Sequence, residues 1–433
     1  MTIVLRHARA AFAAGLFALA GIATGMTGAA QAQTQLTLLV SSSSNNQALA
    51  EGLVADFEAA NPDIDIEIET RPGGGEGDNI VKTRLATGAM ADIFYYNSGS
   101  LFRAINPQKN LVDLTDEPWQ ADVDDSFKAV VTAGGRLYGA PAEAVMAGGI
   151  FYNRKIYAQL GLEVPKSWDQ FMANNEKIKA AGIPPVIQTY RDTWTSQLLL
   201  LADFFNVQAA EPDFAERYTS NQAKFATSPA ARKGFERLEA VHAAGFQNED
   251  FGAASYEDGL RMLADGEGAH YPMLTFAIGA LAATYPDQLG DIGFFAQPGD
   301  DPARNGLTVW LPAGFYIPAA SPNIEAAKRF LAFVASPAGC AAELKALGAV
   351  GPFRIRSCTL PETMPPAVKD MLPYFADRAR NAPALEFVSP VKGPALEQIT
   401  VEVGSGIRPA ADAAALYDED VRKQAQQLGL AGW

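Results

Sequence analysis

The sequence predicts an α/β fold in two lobes, and the prediction rests on three observations. Beyond an apolar N-terminal stretch the chain opens strand, helix, strand, the order of a parallel sheet built through a crossover helix. Its 433 residues exceed what one hydrophobic core usually serves, and at 48% apolar composition neither lobe lacks core material. After a helical middle, strand-like segments return between residues 268 and 318, as expected if the chain revisits the first lobe.

The elements follow in order. Arg6 and Arg9 form a short basic region, residues 10–26 an apolar stretch, and Ala30-Gln31-Ala32 a small-x-small cleavage site. These are the parts of a secretory signal peptide cut after Ala32. A membrane anchor is the other reading, but the stretch is rich in Gly and Ala and falls short of about 20 strongly apolar residues. No Cys follows it, so a freely diffusing periplasmic protein is expected rather than a lipid-anchored one. Removing residues 1–32, which hold Arg6 and Arg9 and no acid, takes the formal charge from −15 to −17. Such a balance argues against nucleic-acid or anionic-membrane partners, which draw on clustered Lys and Arg. No later stretch reads as a membrane span.

Residues 35–40 read as a strand, 41–46 as a polar loop, and the following segment to about Glu58 as a helix burying Leu49, Leu53, Val54 and Phe57. Residues 64–70 alternate Ile with acid, as in a half-exposed strand. A Gly-rich turn, 72–77, leads into a helix with Asp78 as N-cap and Val81, Leu85 and Met90 on its apolar side. The turn is either an anion cradle or a simple tight turn; neither the Gly-Lys-Ser/Thr ending nor the Gly-x-Gly-x-x-Gly spacing is present. Residues 92–95 form the next strand. Ligands of open parallel sheets sit beyond the carboxyl ends of the strands, which puts 41–46 and 96–98 on one rim. Helices are expected at 168–180, 195–205, 229–244 and 256–264, then a strand at 268–273, a helix to Thr284, and strands at 291–296 and 307–318. No internal repeat is visible.

Several segments carry a resemblance. They are the Asp-apolar-apolar strand at 92–95, Gly-x-Leu-Tyr-Gly at 135–139, Phe-Tyr-Asn-Arg-Lys at 151–155 and Pro-x-Ser-Trp-Asp at 165–169. Together they resemble the extracellular solute-binding proteins that feed carbohydrate ABC importers. The likeness covers most of the exported chain and is weakest at 182–227 and after Cys358. It implies the type II periplasmic-binding-protein fold, two α/β lobes hinged by several chain crossings: an N-terminal lobe of residues 33–142 plus 297–345 and a C-terminal lobe of 143–296 plus 346–433. It also implies a monomer without cofactor, and a small-molecule carbohydrate and the importer's transmembrane permease subunits as partners.

A neutral sugar presents apolar C–H faces and many hydroxyls, so its receptor needs flat aromatic surfaces beside planar polar groups. Ser43, Ser44, Asn45 and Asn46 on the rim suit this, although Ser and Asn also cap helices and build turns. Tyr95 and Tyr96 are successive in a strand and point to opposite faces, so at most one faces a ligand; the resemblance favours Tyr96, with Asn97. Glu143 lies in the first expected crossing, either as a buried acceptor of hydroxyls or as an exposed hinge acid. The family's acid sits nearer the Tyr-Asn segment, where this chain has Met146-Ala147-Gly148-Gly149. Trp194, in a cluster with Tyr190, Arg191, Asp192 and Gln197, resembles the family's aromatic platform; a core tryptophan is the alternative. Phe276 stands where the family commonly has Gly-x-Trp, and Met273 and Leu274 before it make for a drier pocket. Trp310 and Phe315 occupy a returning strand whose loop the family turns toward the cleft, and Trp310 has a core reading too.

Cys340 and Cys358 are the only cysteines. An oxidising compartment lets them pair; two free buried thiols are the other reading. A metal site is poorly supplied, with only His242 and His270 beside them in the exported chain. A glycosidase needs two carboxyls across a scissile bond, and no nucleophile-elbow or His-Glu-x-x-His motif appears. The expectation is therefore a binding protein, not an enzyme, taking a neutral sugar. An anionic sugar derivative is the alternative, with Arg71, Arg103 and Arg191 as donors.

Overall fold

The computed structural model describes residues 33–433, so the basic region, apolar stretch and cleavage site of the expected signal peptide lie outside the described residues. β1 (Thr34–Ser41), α1 (Ser44–Ala60), β2 (Ile64–Arg71), α2 (Gly74–Thr87) and β3 (Ile93–Tyr96) form the opening unit. β1 lies between β2 and β3, parallel to both, paired from Thr34↔Ile64 to Ser41↔Arg71. Its run of Leu38, Leu39 and Val40 is buried, as a central parallel strand flanked by helices requires. Asp92 staples this edge: Oδ2 accepts from the Thr37 amide (3.0 Å) and Oδ1 from the Ser321 hydroxyl (2.6 Å).

Two helix starts differ from expectation. α1 begins at Ser44 with Ser43 extended at its N-cap, so Ser44 to Asn46 belong to its first turn and not to a loop. α2 begins at Gly74, which draws the Gly-rich turn into the helix and leaves Asp78 in its interior instead of at the cap. Glycine at Gly74 permits the positive φ of 64° that starts this turn.

A hairpin of β4 (Thr132–Ala133) and β5 (Arg136–Leu137) precedes β6 (Gly139–Pro141) and β7 (Met146–Asn153); β8 (His270–Leu274), β9 (Ile292–Ala296), β10 (Leu307–Trp310), β11 (Gly314–Tyr316) and β12 (Asn381–Pro383) follow. One five-stranded sheet runs β2-β1-β3-β11-β6. The other centres on β7, buried along its whole length, with β8 on one side and β9 and β10 sharing the other. The expected strand 307–318 is thus two strands in different sheets: β10 pairs with β7, and the chain enters the first sheet only at Gly314. The expected helix 195–205 is also broken, into a 3-10 turn at Thr193–Gln197 and short helices Leu198–Leu201 and Phe204–Ala210. Thr308 explains the break, since its hydroxyl donates to the Ala202 carbonyl (2.6 Å) and accepts from the Phe205 amide (2.9 Å), replacing helical bonds.

Between the sheets the chain passes at residues 142–145, at 311–313 and again beyond Leu347. The passages are bonded to one another: the Ala142 amide donates to the Ala313 carbonyl (3.0 Å) and the Val145 amide to the Pro352 carbonyl (2.7 Å). Beside them lie two buried acids. Glu143 accepts from the Tyr95 hydroxyl (2.6 Å), and Glu343 accepts from the Ala144 amide (2.8 Å). Burial pushes the Glu143 carboxyl up to about 7 and the Glu343 carboxyl up to about 8, the latter raised further by Glu143. Helices Ile324–Val334 and Pro337–Leu347 pack on α1, and helix Ala277–Thr284, which follows β8, packs against Pro337–Leu347, making the apolar core continuous behind the crossings. Cys340 and Cys358 are joined in a disulfide. Among the described residues no single helix is long and apolar enough to cross a membrane.

The disulfide closes a loop of 18 residues, and the chain-entropy model assigns such a closure about 3 kcal/mol. Replacing both cysteines by alanine is expected to lower unfolding free energy by about 2–4 kcal/mol in urea titrations. The hinge acids give a pH signature. A carboxyl held above its ordinary 4.5 binds more protons folded than unfolded, so its contribution is full below that value and is lost as pH rises through about 7 to 8. Glu343→Gln, which keeps an oxygen for the Ala144 amide, is expected to gain melting temperature over the parent progressively from pH 5 to pH 8.5. A constant difference across that range would contradict the assignment.

Candidate ligand-binding cleft

The carboxyl ends of β1, β2 and β3 open onto one cleft of about 290 Å³, near the lower end of the range for small-ligand sites. Ser43, Asn45, Asn46 and Asn97 line it, as do Ser41, Ser42 and Ser98, so the expected rim is one surface. Ser44 does not line it; its amide donates to Glu257 Oε1 (3.3 Å). Between the two tyrosines the structure makes the opposite choice from the expected one. Tyr95 lines the cleft, whereas the ring of Tyr96 is buried among the core aromatics, 6.5 Å from that of Phe94. Strand alternation puts the two rings on opposite faces, Tyr95 on that of its partner Phe315 and Tyr96 on that of Phe94. Glu143 does not line the cleft either. It sits behind Tyr95 and holds its hydroxyl, which makes it a positioning residue for that ring.

The second sheet supplies an aromatic wall. Trp194, Tyr256 and Phe276 form a triangle with ring centroids 5.5, 5.8 and 5.9 Å apart, and Trp194 and Phe276 remain half-buried at the cleft. Trp194 is carried by the 3-10 turn and Phe276 follows β8, so the break in the expected helix is what presents the indole. Trp310, at the end of β10, lies at the base with Met146 and Ala384. Its indole N–H donates to Glu386 Oε1 (2.5 Å), and its ring lies over Gly148, where a Cβ would come within 2.2 Å of the ring. The Ala147-Gly148-Gly149 departure therefore has a steric reason: the tryptophan occupies the side-chain space of Gly148. Phe315 is core, packed edge-on to Tyr95 and Phe330.

Sequence reasoning left out several lining residues. Tyr256 read only as a helix start. Asp78 read as a cap, and Glu257 was not singled out within the expected helix 256–264. Glu386, Lys392 and Glu397 lie after Cys358, where the resemblance is weakest and no local pattern marks them. Arg71 lines the cleft, but Arg103 and Arg191 do not. Arg71 is buried, and its guanidinium donates to the Pro72 and Tyr95 carbonyls (3.0 and 3.3 Å). Among the described residues no cluster of His, Cys, Asp or Glu is arranged to hold a metal ion.

Comparison with known proteins places this architecture. The family model for bacterial extracellular solute-binding proteins matches residues 41–339. The chain is 25% identical over 288 residues to the multiple sugar-binding protein of Streptococcus mutans, covering 65% of this chain and 66% of that one. It is 24% identical over 343 residues to the melibiose/raffinose/stachyose-binding protein of Bacillus subtilis, covering 75% of each. The first of these relatives is thus spanned over just under two thirds of its length. Among solved structures, a chitin oligosaccharide binding protein superposes with a TM-score of 0.78 at 22% identity, covering 91% of this chain and 99% of the other. A raffinose complex of the binding protein RafE gives 0.74 at 20% identity, covering 92% and 100%. These likenesses show the fold: two α/β lobes of the type II periplasmic-binding-protein class. With the family model matching more than half of its length and the cleft between its sheets in the expected place, the chain belongs to the bacterial extracellular solute-binding proteins.

Proposed function

We propose that this protein is the receptor of an ABC importer, binding a neutral sugar or oligosaccharide in the cleft and delivering it, unaltered, to the permease subunits in the membrane. The periplasm is its proposed compartment, and its proposed working form is a monomer. One observation carries the reading: the Trp194–Tyr256–Phe276 wall and the amide-rich rim of Asn45, Asn46 and Asn97 line the same cleft. The first matches the apolar face of a pyranose and the second its hydroxyls. The printed names of the relatives, which bind multiple sugars or melibiose, raffinose and stachyose, support the same ligand class. Since wall and rim belong to different lobes, a sugar touching both holds the lobes together, and affinity comes from contacts completed on closure.

A thermal-shift panel of raffinose, melibiose, xylobiose, chitobiose, galactose and maltose on the exported chain is expected to raise the melting temperature with at least one sugar. That sugar is expected to be recovered intact by chromatography; its cleavage would make the protein a hydrolase. Trp194→Ala is expected to weaken binding about tenfold or more in calorimetry while the far-ultraviolet spectrum stays native. Unchanged affinity would remove Trp194 from the site.

A further inference from the structure

We propose that the cleft is a charge filter: it takes sugars whose polar groups are hydroxyls and refuses those bearing a carboxylate, sulfate or phosphate, with Glu397 as the principal determinant. This rests on the sugar-binding reading and deepens it.

The first support is the state of the cations. Arg71 and Lys392 are the basic side chains lining the cleft among the described residues. Arg71 spends its guanidinium on backbone carbonyls, and Lys392 Nζ pairs with Glu386 Oε2 at 3.2 Å. Lys392 is thereby paired with a carboxylate, and the one Arg71 nitrogen without an acceptor, Nε, is buried within the protein.

The second is what occupies the helix ends. α1 and α2 both start at the cleft, and neither Ser43 nor Gly73 caps its own helix through a side chain. Free amides at such ends favour an anionic ligand group. Here the opposite lobe fills both. Glu397, on helix Leu396–Gly404, accepts from the Gly75 amide (3.4 Å) and the Thr193 hydroxyl (2.8 Å); Glu257 accepts from the Ser44 amide. The fit at Gly74 is close, since a Cβ there would lie 2.8 Å from Glu397 Oε2. An anion reaching either end meets a carboxylate already in place.

The third is the polarity of two buried amide oxygens at the cleft. Asn45 is 2% exposed, and its Nδ2 donates to Asn46 Oδ1 (3.1 Å), leaving its own Oδ1 without a partner among the described residues. Gln197, 6% exposed and lining the cleft, likewise has an unpartnered Oε1. Both atoms require a donor. A sugar hydroxyl supplies one, whereas an ionised carboxylate or sulfate only accepts.

Calorimetry tests the filter on each neutral sugar that binds in the panel above, beside its counterpart carrying a uronate at C6 of the terminal ring. The parent protein is expected to bind the uronate at least about 50-fold more weakly, the gap narrowing as salt is raised. Glu397→Gln is expected to narrow the gap about fivefold or more, and Glu257→Gln in the same direction by less. Melting curves verify folding, and Glu257, being exposed, keeps the test open if Glu397→Gln does not fold. Affinities of the parent within threefold for both members of a pair would overturn the filter and leave the sugar reading standing. A gap unchanged in both folded variants would overturn the role of these acids. Binding of uronates alone, or of no sugar at all, would overturn the sugar reading and the filter with it.

Discussion

The structure depends on the chain crossings being bonded side by side. Buried peptide groups must find partners, and here residues 142–145 find theirs in Ala313 and Pro352, from crossings far away in sequence. That ladder sets the distance and orientation of the two sheets. It also brings Leu311 and Ala313 to the cleft and fixes the direction in which the strand ends of the first sheet face. Glu143 and Glu343 are buried against the same ladder, so the place where the lobes bend is also the place where proton binding costs or restores stability.

The cleft divides its work between the sheets. The first contributes helix-borne amides and hydroxyls held by backbone capping geometry, and the second contributes rings that pack on one another. Trp310 shows how tightly the second set is specified: Glu386 holds the edge of the indole, Gly148 yields the space beneath it, and Ala384 and Met146 surround it. The acids that face the first sheet, Glu257 and Glu397, accept from the Ser44 and Gly75 amides at the starts of its two cleft helices.

Much of this was legible in the chain. Helical spacing in Leu49, Leu53, Val54 and Phe57 located α1, and the alternation of Ile64 and Ile66 with acids located β2, because each pattern reports a single buried face. Chemical type points to Asn45 and Asn46, and the family resemblance to Asn97, Trp194, Phe276 and Trp310; all of them line the cleft. The choice between Tyr95 and Tyr96 was not legible. Both are aromatic, both end the same strand, and only the packing of the folded sheet buries the ring of Tyr96 among Phe94 and its neighbours while Tyr95 reaches the cleft. The split of 307–318 between two sheets was equally hidden, since an apolar run reads alike whichever sheet receives it.

By itself, then, the amino-acid order determined the periodic elements, the α/β class and the residue types a sugar would need. Those properties follow from local backbone preference and from how many apolar faces must be buried. Tertiary structure alone decided that Glu397 reaches Gly75 over 322 positions, that Thr308 interrupts a helix near Ala202, and that Glu143 holds a tyrosine instead of lining the cleft. Each of these is a contact between segments with no common pattern. Their partners are chosen by the distance left once the two sheets are fixed, and a linear sequence carries no record of that distance.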